Sequence, residues 1–288
     1  MDILTPLRLF LLIITNAGGE GKTHLTLLLR ALFDLLGEAE LTLDADPGNK
    51  AASSTGAPSI KFLDPFFDAG DAIAKVKGAL TSSTSLLIDA GANMQAASRQ
   101  FEDTCRGLGD RLTDEGYTVR GLWVVSPNKL GAAGSLLRDM RRINPPLGAI
   151  VVFNDRDGSG AVPDGIQPEM TVRHLPPGLI ALTREHGGLP QIVRTGIPGY
   201  QHSADMIAAY IWQFADQPAV RRLFGNDRID RLQSLLDREA LDISPFTLRT
   251  PTSDQMLDLM ASKARLLRHI MPHLPDVDRV REALIDYR

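Results

Sequence analysis

Between residues 18 and 23 the chain reads Gly18-Gly19-Glu20-Gly21-Lys22-Thr23, with three glycines, a cation and a hydroxyl in one short run. Glycines let successive backbone N–H groups converge on an anion with no Cβ in the way. The lysine and hydroxyl that follow supply a charge for phosphate oxygens and a ligand for a divalent cation. The string therefore reads as a phosphate-binding loop. Lys22 reaches the β- and γ-phosphates of a nucleotide, and Thr23 joins a Mg²⁺ shell. His24, in the next helical turn, is counted with Gly18, Gly19, Gly21, Lys22 and Thr23 among the nucleotide-binding residues.

Two acidic strings follow. Asp44-Ala45-Asp46-Pro47-Gly48-Asn49 is either a turn capped by its own side chains or a pair of carboxylates beside the loop. In the second reading they hold Mg²⁺ or orient an attacking water. Asp89 closes the apolar run Leu86-Leu87-Ile88. Alone it is an ordinary strand end, but after a phosphate loop in the same sheet it is the expected Mg²⁺ carboxylate.

These residues need a scaffold that brings three strand ends together. Leu9–Thr15 reads as a strand buried on both faces, Lys22–Leu36 as an apolar helix, and Gly37 as its stop. Short strands follow at Leu41–Asp44, Ser85–Asp89, Val119–Val125 and Ala149–Phe153. Between them, helices are expected at Asp71–Leu80, Met94–Leu108 and Leu130–Ile143, with a Pro-, Gly-, Ser- and Ala-rich surface segment from Asp46 to Phe67. This alternation predicts an α/β fold, a parallel sheet flanked by helices in the three-layer, Rossmann-like manner of P-loop NTPases. Ligands then bind at the carboxyl ends of the strands.

From Tyr200 the pattern changes to helices alone, at Ser203–Phe214, Asp227–Leu241, Ser253–Met271 and Asp276–Tyr287. The expected division is a P-loop domain at 1–200 and a helical C-terminal extension at 201–288. Tyr210, Ile211, Trp212 and Phe214 read as a packing face.

Composition excludes several classes. The 288 residues carry 31 Lys+Arg against 35 Asp+Glu, a net charge of −4, so bulk charge signals neither a basic nucleic-acid binder nor a membrane-surface protein. A basic surface can still arise where Arg221, Arg222, Arg228 and Arg231 cluster, and Arg138, Arg141 and Arg142 gather near one helix end. The single cysteine, Cys105, fits a buried thiol in a reducing compartment. Leu7–Ile14 is too short for a membrane span, and no other run is long enough, so a cytoplasmic location is expected. The histidines, His174 among them, lack metal-ligand spacing.

The phosphate loop, the Asp44-x-Asp46-Pro47-x-Asn49 string and the Ile88-Asp89 strand end together resemble the ParA/MinD family of deviant-Walker ATPases over about residues 8–200. The acidic strings look closer to conjugation-associated members, the TraL-like and StbB-like proteins. The resemblance implies ATP and Mg²⁺ as ligands, Lys22 and Asp46 as catalytic residues with Asp46 positioning the hydrolytic water, and Thr23, Asp44 and Asp89 as Mg²⁺-linked groups. It implies that Asn154 reads the adenine edge. It also implies an ATP-dependent homodimer, slow partner-stimulated hydrolysis, and a switch in plasmid partition or conjugative transfer, with plasmid DNA or a DNA-bound or conjugation protein as partner.

Two positions depart from the family pattern. The signature lysine, five residues before the loop lysine, is replaced by Ala17, and Glu20 stands where valine is usual. A cation supplied across a dimer is worth orders of magnitude in phosphoryl transfer. Its loss keeps open a module that binds nucleotide without turning it over. A P-loop kinase acting on a small molecule is a further alternative.

Overall fold

The computed structural model describes residues 5–46, 68–81, 84–94, 98–127, 134–136, 138–140, 148–197 and 201–236. Asn49 and the rest of the 47–67 segment, Arg141, Arg142, and the helices expected at Ser253–Met271 and Asp276–Tyr287 lie outside them.

Six parallel strands form one sheet: β1 (Leu9–Ile14), β2 (Ala39–Ala45), β3 (Thr84–Ala90), β4 (Thr118–Val125), β5 (Ala149–Asn154) and β6 (Met170–Val172). Their order is β2-β3-β1-β4-β5-β6, and every adjacent pair is parallel. This is the expected P-loop NTPase architecture. β1 and β3 are buried along their whole length, which is why β1 and the Leu86–Ile88 centre of β3 read as continuous apolar runs rather than alternating ones.

Alternate residues of each strand feed two cores. Leu9, Leu11 and Ile13 of β1, with Leu87, Val124 and Val152 of β3, β4 and β5, pack under α1 (Lys22–Leu36). Phe10, Leu12 and Ile14 face the other way with Ile88, Trp123 and Phe153. That second core also takes Ile73 and Val76 of α2 (Ala69–Ala79), and Phe101, Cys105, Leu108 and Leu112 of α3 (Arg99–Asp114). The expected end of α3 at Leu108 falls short by six residues, because Leu112 continues its buried stripe. Ser98 caps the helix, accepting from the Phe101 N–H at 3.2 Å. Burial pushes the Cys105 thiol pKa up, in keeping with a structural role. Between β4 and β5, residues 134–136 and 138–140 are helical within the expected Leu130–Ile143 span.

Beyond β5 lie elements that were not expected: β6, α4 (Pro177–Glu185), α5 (Leu189–Thr195) and α7 (Pro218–Phe224). All three helices carry proline in their first turn. Proline usually reads as a breaker, but at the first helical positions its missing N–H would have no partner anyway. α6 (Gln201–Ala215) and α8 (Asn226–Leu235) correspond to two of the expected helices.

The described helices after residue 200, α6 to α8, pack into the core under α1. Tyr210, Ile211 and Phe214 of α6, Phe224 of α7, and Ile229 and Leu232 of α8 join the core under α1, with Trp212 partly buried against it. Phe33 and Phe224 meet in a tilted contact, 5.1 Å between ring centroids. α1 thus lies between the sheet and a further helical layer, which explains why leucines and a phenylalanine occupy nearly its whole circumference. Where a boundary was expected at 200, the compact unit runs from Met1 to Arg238. The outer layer also reaches the sheet edge. Thr171 of β6 donates its N–H to Gln217 Oε1, and Gln217 Nε2 donates to the Thr171 carbonyl, both at 2.7 Å.

Candidate functional site

The site lies at the carboxyl end of β1. After Ile14 the chain turns through Thr15, whose hydroxyl bonds back to Ala17, and through Asn16. Asn16 Nδ2 donates to Ser135 Oγ at 2.7 Å and to Asp139 Oδ2 at 3.0 Å. α1 begins at Lys22, with Gly21 as its cap in the left-handed region, φ 89°. A Cβ on Gly21 would meet Asn154 Nδ2 at 1.8 Å, so both conformation and space require glycine here. The Glu20 side chain is fully buried rather than presented to solvent at the loop mouth.

Strand alternation brings the acids to the same place. Asp89 lies two residues beyond Leu87, and Asp44 one beyond Leu43 of the opposite core, so both carboxylates face the α1 side. They are direct cross-strand partners, and Asp89 is also level with Ile13 of β1. Each is 1% exposed. Burial raises the Asp89 pKa to about 6, with Asp44 adding to the rise. The Lys22 charge and hydrogen bonding from Thr23 and Thr26 oppose it. Asp89 Oδ1 is buried with no hydrogen-bond partner. An orphaned carboxylate oxygen next to a threonine at the start of a phosphate-loop helix fits a hard divalent cation.

Asp46 follows the end of β2. Its N–H donates to Asp44 Oδ1 at 3.0 Å, and its Oδ2 lies 3.9 Å from Lys22 Nζ. The structure therefore gathers Lys22, Thr23, Asp44, Asp46 and Asp89 around one point. The two carboxylates of the Asp44-x-Asp46 string differ in use: one is sealed in the sheet and the other pairs with the loop lysine. Among the described residues, no group of three or more His, Cys, Asp or Glu is arranged to hold a metal ion.

Two of the expected nucleotide contacts have hydrogen-bond partners within the protein. His24 is partly buried, and its Nε2 pairs with the Tyr210 hydroxyl of α6 at 2.5 Å. Burial, with some repulsion from His174, lowers the His24 pKa to about 4, so the ring is neutral at physiological pH. Asn154, 4% exposed at the end of β5, donates from Nδ2 to the Glu20 carbonyl at 2.7 Å. Its amide grips the loop.

One residue of the site was missed. Arg156, two beyond Asn154, donates from its guanidinium to the Gly19 carbonyl at 2.6 Å. The only sequence signal was a cation just past a strand end in the same sheet as the loop. His174 belongs with it, because its Nδ1 bonds the Arg156 carbonyl at 2.7 Å. Among the described residues past 220, Arg221, Arg222 and Arg228 are paired with carboxylates. Arg221 bridges Asp216 and Asp230, Arg222 meets Glu169 and Arg228 meets Glu38. Arg138 lies 4.0 Å from Asp139. Among the described residues, no helix is long and apolar enough to cross a membrane.

No protein-family model and no curated protein matches the chain. Among solved structures, it is similar to the septum site-determining protein MinD of Pyrococcus horikoshii in complex with Mg-ADP. The two are 15% identical with a TM-score of 0.45, over 74% of this chain and 98% of that one. The MinC:MinD cell division complex of Aquifex aeolicus gives 16% identity and a TM-score of 0.43, over 70% and 94%. A Cyanothece McdA–ATP complex gives 13% and 0.41, over 72% and 97%.

Proposed function

We propose that this chain binds Mg²⁺-ATP at the Gly18–Thr23 loop and works as a slow, ParA-like nucleotide switch. The observation that carries the reading is the convergence of Lys22, Thr23 and the paired carboxylates Asp44 and Asp89 where β1 passes into α1. Loop amides and the Lys22 ammonium take the phosphates, with the start of α1 adding its partial positive charge. Thr23 and Asp89, with Asp44 behind, hold the cation side. Bound Mg²⁺ would supply charge neutralisation for the phosphate oxygens. Lys22 leaves Asp46 for the phosphates, and the freed carboxylate is placed to orient a water for in-line attack. In this reading the chain is cytoplasmic, pairs with a second copy when ATP is bound, and serves plasmid partition or conjugative transfer through plasmid DNA or a DNA-bound or conjugation protein.

A second reading rests on Ala17. With no lysine at that position to cross a dimer, the site binds nucleotide and does not turn it over. Phosphate release from Mg²⁺-ATP, with and without duplex DNA, separates the two. Slow release lost in both Lys22→Ala and Asp46→Ala supports the switch. Tight ATP binding without release under any condition supports the module.

A further inference from the structure

We infer that Arg156 is a positioning residue of the phosphate loop, fixing the direction of a backbone amide that faces the anion; the inference rests on the nucleotide reading above. A trans peptide holds its C=O and the next N–H in one plane, pointing opposite ways. The described residues contain no cis peptide. Arg156 holds the Gly19 carbonyl at 2.6 Å, which fixes the Glu20 N–H in the opposite direction. Asn154 holds the Glu20 carbonyl at 2.7 Å and so fixes the Gly21 N–H. The Gly21 carbonyl accepts from the Leu25 N–H at 3.1 Å, which does the same for Lys22. Three successive carbonyls are drawn outward, and three successive amides are left to converge.

The three clamps differ in kind. The Leu25 bond belongs to the helix itself, and the Asn154 bond is buried in the sheet. Arg156 is exposed and reaches in from the turn after β5. That turn is held where the arginine can act. The Arg156 N–H donates to the Asn154 carbonyl at 2.8 Å, and the Asp155 N–H to the Val172 carbonyl at 2.8 Å. His174 Nδ1 secures the Arg156 carbonyl at 2.7 Å. Gly19 itself has φ 78°, in the region that glycine enters without strain, so its peptide has few other restraints. A charged donor on that carbonyl supplies the missing one.

The test uses the full chain with Arg156→Ala, Arg156→Lys and His174→Ala, two ligands (Mg²⁺-ATP and Mg²⁺ with inorganic tripolyphosphate), and ¹⁵N relaxation of the free protein. Arg156→Ala is expected to weaken both ligands by the same factor, about tenfold. In the free protein, order parameters of the Glu20 and Gly21 amides fall from about 0.85 towards about 0.6. Lysine, which still offers a donor to the carbonyl, restores most of both effects, and His174→Ala shows a smaller version of each. A loss for ATP alone would make Arg156 a nucleoside contact and overturn the inference. An equal loss with amide order unchanged would make it a direct phosphate contact and overturn it too. If the wild-type chain binds neither ligand, the nucleotide reading fails by itself, and the amide order in Arg156→Ala still decides the clamp.

Discussion

The two flanks of β1 do opposite work. On one side, β3 and β2 bring acids to the loop: Asp89, Asp44 across from it, and Asp46 just beyond. On the other side, β5 brings donors, the Asn154 amide and the Arg156 guanidinium, and both go to loop carbonyls rather than into the acidic cluster. A parallel sheet with the loop strand near its centre makes this possible, because neighbours on both sides end at the same rim. In the proposed reading, one flank meets a cation and a reacting water. The other holds the backbone that meets the anion. Chemistry and preorganisation are thus assigned to different strands, and substitutions should separate them.

The largest effect is expected where the flanks meet. Lys22→Ala removes the one loop ammonium and should lower ATP turnover by about 10²–10³-fold, read as phosphate release. On the donor flank, Gly21→Ala sets a Cβ against Asn154 in a left-handed residue. Urea denaturation should show a loss of about 3 kcal/mol. A variant as stable as the wild type would mean that Asn154 does not press on the loop.

The acidic flank should respond with the opposite sign. The Asp89 carboxyl titrates near 6 in the folded chain and near 3.8 when unfolded, so folding favours its protonated form. That contribution is complete below about 3.8 and is lost as pH rises through about 6. Without divalent cation, Asp89→Asn should therefore be more stable than the wild type at pH 7, by up to about 3 kcal/mol, and should lack the decline between pH 4 and 6. Denaturation midpoints across that range measure it, and the same variant should lose Mg²⁺-dependent nucleotide binding. The smallest effect lies away from both flanks. Tyr210→Phe leaves His24 without its hydroxyl partner and should cost about 1 kcal/mol of stability with turnover preserved.

What the sequence disclosed follows the range of the interactions. The loop was legible because its work restricts residue type at each position, and Gly21 shows how tightly. β1 was legible because burial on both faces leaves only apolar residues, and β3 by its Leu86-Leu87-Ile88 centre. β6 is three residues long, too short to show a period, and α4, α5 and α7 carry proline in their first turn. The Arg156–Gly19 contact spans 137 positions and the His24–Tyr210 contact 186, so neither has a local pattern to betray it. The composition change at residue 200 is real but marks the end of strand-forming sequence. α1 is apolar on its outward side as well, and it required the cover that α6, α7 and α8 provide.

Gln217 bears on how copies of this chain can meet. A bare margin of a sheet is a template that another backbone can extend, molecule after molecule. At the β6 margin the outward N–H and C=O of Thr171 are already answered by a side-chain amide of the same chain, in the pairing that a seventh strand would have made. Self-association along this margin is therefore closed to the strand-by-strand growth that leads to fibres. Copies that gather there must do so through side chains, by contacts that can be released.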